Sequence, residues 1–96
     1  MIHKILVNSK TSSRYNVDWS RDVNRVQVND LLVYLERLLG YRGYLYLNGI
    51  YEQLGVEWTD LDNNHVIRYE DYTDNLFTII DDDENNGFIV TVNYNY

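Results

Sequence analysis

Four carboxylates in succession, Asp81-Asp82-Asp83-Glu84, are followed at once by Asn85-Asn86-Gly87, and the run lies between the apolar pairs Ile79-Ile80 and Phe88-Ile89. Side chains of this type can do three things. Their oxygens can ligate a hard cation, their charge can face a basic partner, or they can keep the turn of a β-hairpin in water.

The metal reading needs a spacing that the run lacks. A calcium loop of the EF-hand type takes oxygen ligands at its first, third and fifth positions, Gly at the sixth and a bidentate Glu at the twelfth, between two helices. Counting from Asp82 places Glu84, Asn86 and Gly87 well, but the twelfth position is Asn93 and the flanks read as strands. Counting from Asp81 misplaces the Gly. No metal and no other cofactor is expected.

A partner surface requires the acids to merge into one face. Glu70, Asp71 and Asp74 precede the run by one strand length, about 17 Å for five residues, and Glu52, Glu57, Asp60 and Asp62 come before them. On this reading the binding residues are Asp81, Asp82, Asp83, Glu84, Glu70, Asp71 and Asp74, with Trp58 as an aromatic anchor. The plainer reading is a solvated turn whose charges keep a strand edge from aggregating. Trp19 and Trp58 have a plainer use too, as covers of a small core.

Other reactive groups are scattered. Gly40-Tyr41-Arg42-Gly43 matches the GxxG of KH domains, whose loop clamps a nucleic-acid backbone, and Tyr41, Tyr44 and Tyr46 around Arg42 could stack bases. Such Tyr more often cover a core with their rings and leave their hydroxyls in water. His3 and His65 are far apart in sequence, and Ser9, Ser12, Ser13 and Ser20 carry no nucleophile-elbow or SxxK context. A carboxylate pair at glycosidase distance would need a cleft that so small a domain seldom has. An enzyme is not expected.

Composition narrows the partner. The 96 residues make one domain, 1–96, and 45% of them are apolar, enough for a single small core. There is no Cys and no Pro, so turns fall to Gly, Asp and the twelve Asn. Residues 1–48 hold seven basic against four acidic side chains, a net of +3; residues 49–96 hold Arg68 against eleven acids, a net of −10. This balance disfavours direct binding to nucleic acid or anionic membranes and points to a protein partner with a basic surface. The imbalance also has an internal use, attraction between the two halves. Homo-oligomerisation stays open. No apolar run approaches the roughly 20 residues of a membrane span, and the apolar start, broken by Lys4, is too short for a signal peptide; a cytoplasmic location is expected.

The elements that must position these groups are readable by period. "HKILVN" reads as a strand. "RYNVDWS" alternates, with Tyr15, Val17 and Trp19 on one face, and predicts a second strand in hairpin with the first. "NDLLVYLERLLG" predicts a helix: Asn29 as cap, a stripe of Leu31, Leu32, Leu35, Leu38 and Leu39, and Gly40 as the left-handed stop. Ser20 with Asp22 is an alternative start, and "VNRVQV" between them fits helix or strand. "LNGIYEQLG" predicts a short helix capped by Asn48, with Leu47, Ile50, Tyr51 and Leu54 inward and Gly55 at its end. The last third reads as a meander of "HVIRYE", "LFTII" and "FIVTVNY". Pairing Ile80 with Ile89 puts Ile79 opposite Val90 and Phe77 opposite Val92, with these apolar residues expected on one face and Thr78 with Thr91 on the other.

The stretch Leu31 to Trp58, "LLVYLERLLGYRGYLYLNGIYEQLGVEW", resembles a box in small uncharacterised proteins of phages and mobile elements of Firmicutes. Its marks here are Arg42-Gly43-Tyr44, Leu47-Asn48, Ile50-Tyr51 and Leu54-Gly55. The resemblance covers less than a third of the chain and implies an origin rather than an activity. The expectation is then an α+β domain with an N-terminal β-hairpin, one long and one short central helix, and a C-terminal three-stranded antiparallel meander, helices packed on one sheet face. Its expected role is that of a non-enzymatic accessory protein that binds another protein, inhibiting a host factor through its acidic half. A structural subunit of a virion or assembly is the alternative.

Overall fold

The computed structural model describes residues 2–58, 65–71 and 75–94. The chain is α+β, as its periodicities predict. In order it forms β1 (Ile2–Val7), α1 (Arg21–Arg42), β2 (Tyr44–Tyr46), α2 (Leu47–Leu54), β3 (Val66–Arg68), a single 3-10 turn (Tyr69–Asp71), β4 (Phe77–Asp82) and β5 (Gly87–Asn93). Asp60, Asp62 and Asp74 lie outside the described residues. No helix among the described residues is long and apolar enough to cross a membrane.

The long helix begins at the earlier of its two start signals. Ser20 Oγ accepts a hydrogen bond from the Val23 amide at 3.2 Å, and Asp22 sits in the positive first turn. The inward stripe is therefore Val28, Leu32, Leu35 and Leu39, flanked by the half-buried Leu31 and Leu38. Each fully buried Leu contributes about 2 kcal/mol. The stop is not Gly40, which is helical, but Gly43 at φ 81°, whose amide donates to the Leu39 carbonyl at 2.7 Å. Glycine accepts either conformation, and the later stop releases the chain with Leu45 turned into the core.

β1 does not pair with the segment after it. It pairs antiparallel with β5, Ile5 opposite Val90 and Val7 opposite Phe88, giving a sheet of order β1-β5-β4. This corrects the expected N-terminal hairpin. Residues 8–20 form side-chain-held turns instead. Asn8 Oδ1 accepts from the Lys10 and Thr11 amides at 2.9 and 3.0 Å, and Asn16 Oδ1 accepts from the Asp18 amide at 2.9 Å. These local bonds compete with a ladder, and Val17 ends 72% exposed.

The meander is corrected as well. β3 pairs with β2, Leu45 opposite Ile67, in a separate two-stranded sheet. The β4–β5 hairpin keeps the expected register, Phe77 with Val92, Ile79 with Val90 and Ile80 with Ile89. Strand alternation splits these pairs: Val90 and Val92 are buried while Ile80 is 61% exposed on the face of Thr78. α2 buries Leu47, Ile50 and Leu54 and stops at Gly55, φ 70°. Its cap is not Asn48. The cap position falls two residues earlier, at Tyr46, with no side-chain bond, and the Leu47 amide donates to the His65 carbonyl at 2.9 Å. One core joins both sheets and both helices through Ile5, Val7, Leu35, Leu39, Leu45, Leu54, Ile67, Phe88 and Val90.

Candidate functional site

The acidic hairpin is shorter and less outward than the sequence implies. β4 runs through Asp82 and β5 begins at Gly87, so only Asp83 to Asn86 lie in the turn. It is closed by the Asn86 amide on the Asp83 carbonyl at 3.3 Å, with Asn86 left-handed at φ 51°. Asp81 is in register with Phe88, on the helix-facing side of the sheet. There it meets Arg25 of α1 at 2.8 Å, and Asp83 meets Arg21 at 2.6 Å. The hydrogen bond from Arg21 to Asp83 holds the guanidinium pKa above its ordinary value, with Coulombic help from Asp83, Asp81 and Asp22. Asp82 accepts from Asn85 Nδ2 at 2.7 Å, and Glu84 is exposed. Half of the four-acid run is thus committed to the basic helix of the same chain.

The remaining predicted acids do not join that corner through any described contact. Glu70 is exposed in the 3-10 turn that Asp71 closes. Trp58 is half-buried rather than presented as an anchor. Its ring packs edge-on against Tyr51 at 4.8 Å, and its Nε1 is buried without a hydrogen bond among the described residues. The GxxG stretch is no clamp loop, because Gly40 to Arg42 are the last turn of α1.

An aromatic face forms at that end of the molecule. Tyr44 and Tyr46 alternate outward along β2, with ring centroids 5.7 Å apart and planes at 78°. Arg42 lies over the Tyr44 ring at 4.7 Å, and Arg68 stands opposite Tyr44 in the strand pair. Tyr69 closes over Gly40, and Tyr41 is 91% exposed. The sequence marks Tyr41, Tyr44, Tyr46 and Arg42; Tyr69 and Arg68 join them only through the β2–β3 pairing. Edge-to-face packing gives the two β2 rings one continuous apolar surface, not two parallel shelves for bases.

Two histidines distant in sequence also meet. His3, His65 and the buried Tyr94 form a triangle of rings with centroids 5.9 to 6.1 Å apart, His3 stacked on Tyr94 and His65 edge-on to both, and the Tyr94 hydroxyl shares a 2.8 Å hydrogen bond with His65 Nδ1. These residues come from β1, from just before β3 and from just after β5, so the contact clasps the two sheets together.

Comparison with protein-family models, with curated proteins and with solved structures returns no match. The surface chemistry itself carries the functional reading.

Proposed function

We propose that this chain is a non-enzymatic accessory protein that works by binding another protein. The observation that carries the reading is the exposed face of Tyr44, Tyr46 and Arg42. Tyr and Arg are enriched in binding hot spots: the Tyr ring brings large contact area with few rotamers to freeze, and the planar Arg fork stacks on rings and donates several hydrogen bonds. The acids that remain exposed, Glu84 and Glu70 among them, together with the net charge of −7, steer a partner with a basic surface. The resemblance of the Leu31–Trp58 box supports a phage or mobile-element origin, and with it inhibition of a host factor.

A photo-crosslinking residue in place of Tyr44 tests this. The recovered protein should bind the purified chain, and Tyr44→Ala with Tyr46→Ala should weaken that binding by tenfold or more. Recovery of nothing but the chain itself sinks the reading. The second reading, a subunit of an assembly, is favoured by the sheet edges: among the described residues β1 and β4 each have a strand on one side only. A ring or larger particle in light scattering would select it.

A further inference from the structure

Among the described residues β4 has a strand on one side only, and its other edge has the chemistry of a strand-addition site. The Leu76 carbonyl accepts from the Asn93 amide at 2.8 Å. Hydrogen-bonded pairs alternate along an antiparallel ladder, so Thr78 and Ile80 also bond to β5, while the amides and carbonyls of Phe77, Ile79 and Asp81 point away from it. The Arg25 guanidinium marks that direction, since its Nη2 reaches the Ile79 carbonyl at 3.3 Å. Only an extended backbone matches a row of main-chain donors and acceptors at this spacing.

Space and side-chain chemistry agree with the backbone. A groove of about 170 Å³ runs between α1 and this edge, lined by Asn29, Leu32, Val33, Glu36, Phe77 and Ile79. Val33 on its flank is exposed, as is Val26 two turns earlier on α1. On the other face of the sheet, Leu6, Ile89 and Ile80 stand in register across all three strands. Leu6 and Ile89 are half-buried and Ile80 is exposed, at the edge where a fourth strand would lie. The corner of β4 carries Asp82, with Glu84 beyond it in the turn.

We propose that the outer edge of β4 adds an extended segment of a partner protein, with apolar β-branched residues against Ile80 and Val33 and a Lys or Arg beside Asp82. Main-chain bonds to Phe77 and Ile79 supply the affinity, and the acids fix which end lies at the turn. Arg25 guards the site until the segment arrives, occupying the acceptor that a strand amide would take. This rests on the protein-binding reading and gives that partner a conformation and a charge.

The probe is a short peptide of alternating Thr and Val with a Lys at each end. Its titration should shift the Phe77 and Ile79 amide resonances and slow their hydrogen exchange. Glu at both ends should weaken binding roughly tenfold at low salt, a central Pro should abolish it, and Val33→Glu should weaken it by a similar factor without changing thermal unfolding. Unchanged Phe77 and Ile79 amides at saturating peptide overturn the proposal. Shifts confined to Tyr44 and Tyr46 overturn it too, yet leave the protein-binding reading standing. Protection of the same amides that rises with protein concentration and needs no peptide would make the occupant a second copy, also against the proposal.

Discussion

Arg25 and Asp81 are 56 positions apart in the chain and 2.8 Å apart in the fold. The contact joins the basic first half to the acidic second half at the point where α1 crosses the end of β4. It exists because strand alternation turns Asp81, and not its neighbour Asp82, toward the helix. Both side chains stay partly in water, at 38% and 43% exposure, so the pair orients the helix more than it holds the fold.

A double-mutant cycle with Arg25→Met and Asp81→Asn should accordingly give a coupling of about 0.5 kcal/mol at low salt. In 1 M salt it should fall to near zero. Urea unfolding of the four proteins measures it, and a coupling unaffected by salt would contradict an exposed pair.

Gly87 opens β5 where the end of β1 comes closest. A Cβ there would collide with the Val7 carbonyl oxygen and crowd Asn8 Cβ. Gly87→Ala should cost about 3 kcal/mol, an overpacking penalty with backbone on the far side. The urea midpoint should drop with the slope unchanged. A midpoint equal to that of the parent chain would mean that the strands separate more easily than their register suggests.

Two glycines three residues apart should respond in opposite directions. Gly40 is an exposed helical residue whose added methyl would meet the Tyr69 ring at an ordinary 3.9 Å, so Gly40→Ala should stabilise by about 0.7 kcal/mol. Gly43 is left-handed, and Gly43→Ala should destabilise by about 1 kcal/mol. Thermal melts of the two variants decide it, and a shift of the same sign in both would place the helix end wrongly.

Asn24 is 1% exposed and ties the loop before α1 to the helix. Its Oδ1 accepts from the Asn16 amide at 2.8 Å, and its Nδ2 donates to the Asn16 and Ser20 carbonyls at 2.9 and 3.0 Å. Asn24→Ala leaves these groups without their partners and should cost about 2 kcal/mol. Asn24→Asp should cost more at neutral pH, because a carboxylate would face two carbonyl oxygens. Burial and those oxygens raise the folded-state pKa of the new acid above its unfolded value of about 3.9. The deficit should then be full above the raised pKa and shrink as pH falls toward 4. Denaturation at several pH values reads this directly. A deficit independent of pH would show the carboxylate turned out to solvent.

What could be read without a structure was local. The Leu stripe of α1, the end of α2 at Gly55 and the Phe77–Val92 register all follow from spacing along one or two adjacent segments, where periods of 3.6 and 2 constrain the answer. The Ser20 start was visible as a signal but not as a choice, because "VNRVQV" fits helix or strand equally. Propensity was overruled there by the buried Val28 and by Asn24, whose bonds need the helical turn beneath them.

The sequence by itself determined the two helical stripes, the extended runs of β1, β4 and β5, where the hairpin of the last third would turn, and that two oppositely charged halves had to share one small body; its alternation over Tyr15–Trp19 wrongly indicated a strand. Tertiary structure decided the partners. β1 found β5 across the length of the chain because that pairing buries Ile5 and Val7 against Val90 and Phe88, whereas the backbone of the neighbouring Tyr15–Trp19 stretch is satisfied in turns by the side chains of Asn16 and Asn24. The β2–β3 pairing gathered the aromatic face, and the order β1-β5-β4 leaves β4 with a strand on one side only among the described residues. A strand's own residues state only that it is extended and which side is apolar; its neighbour is chosen by the area that the whole core can bury, and no single segment encodes that sum.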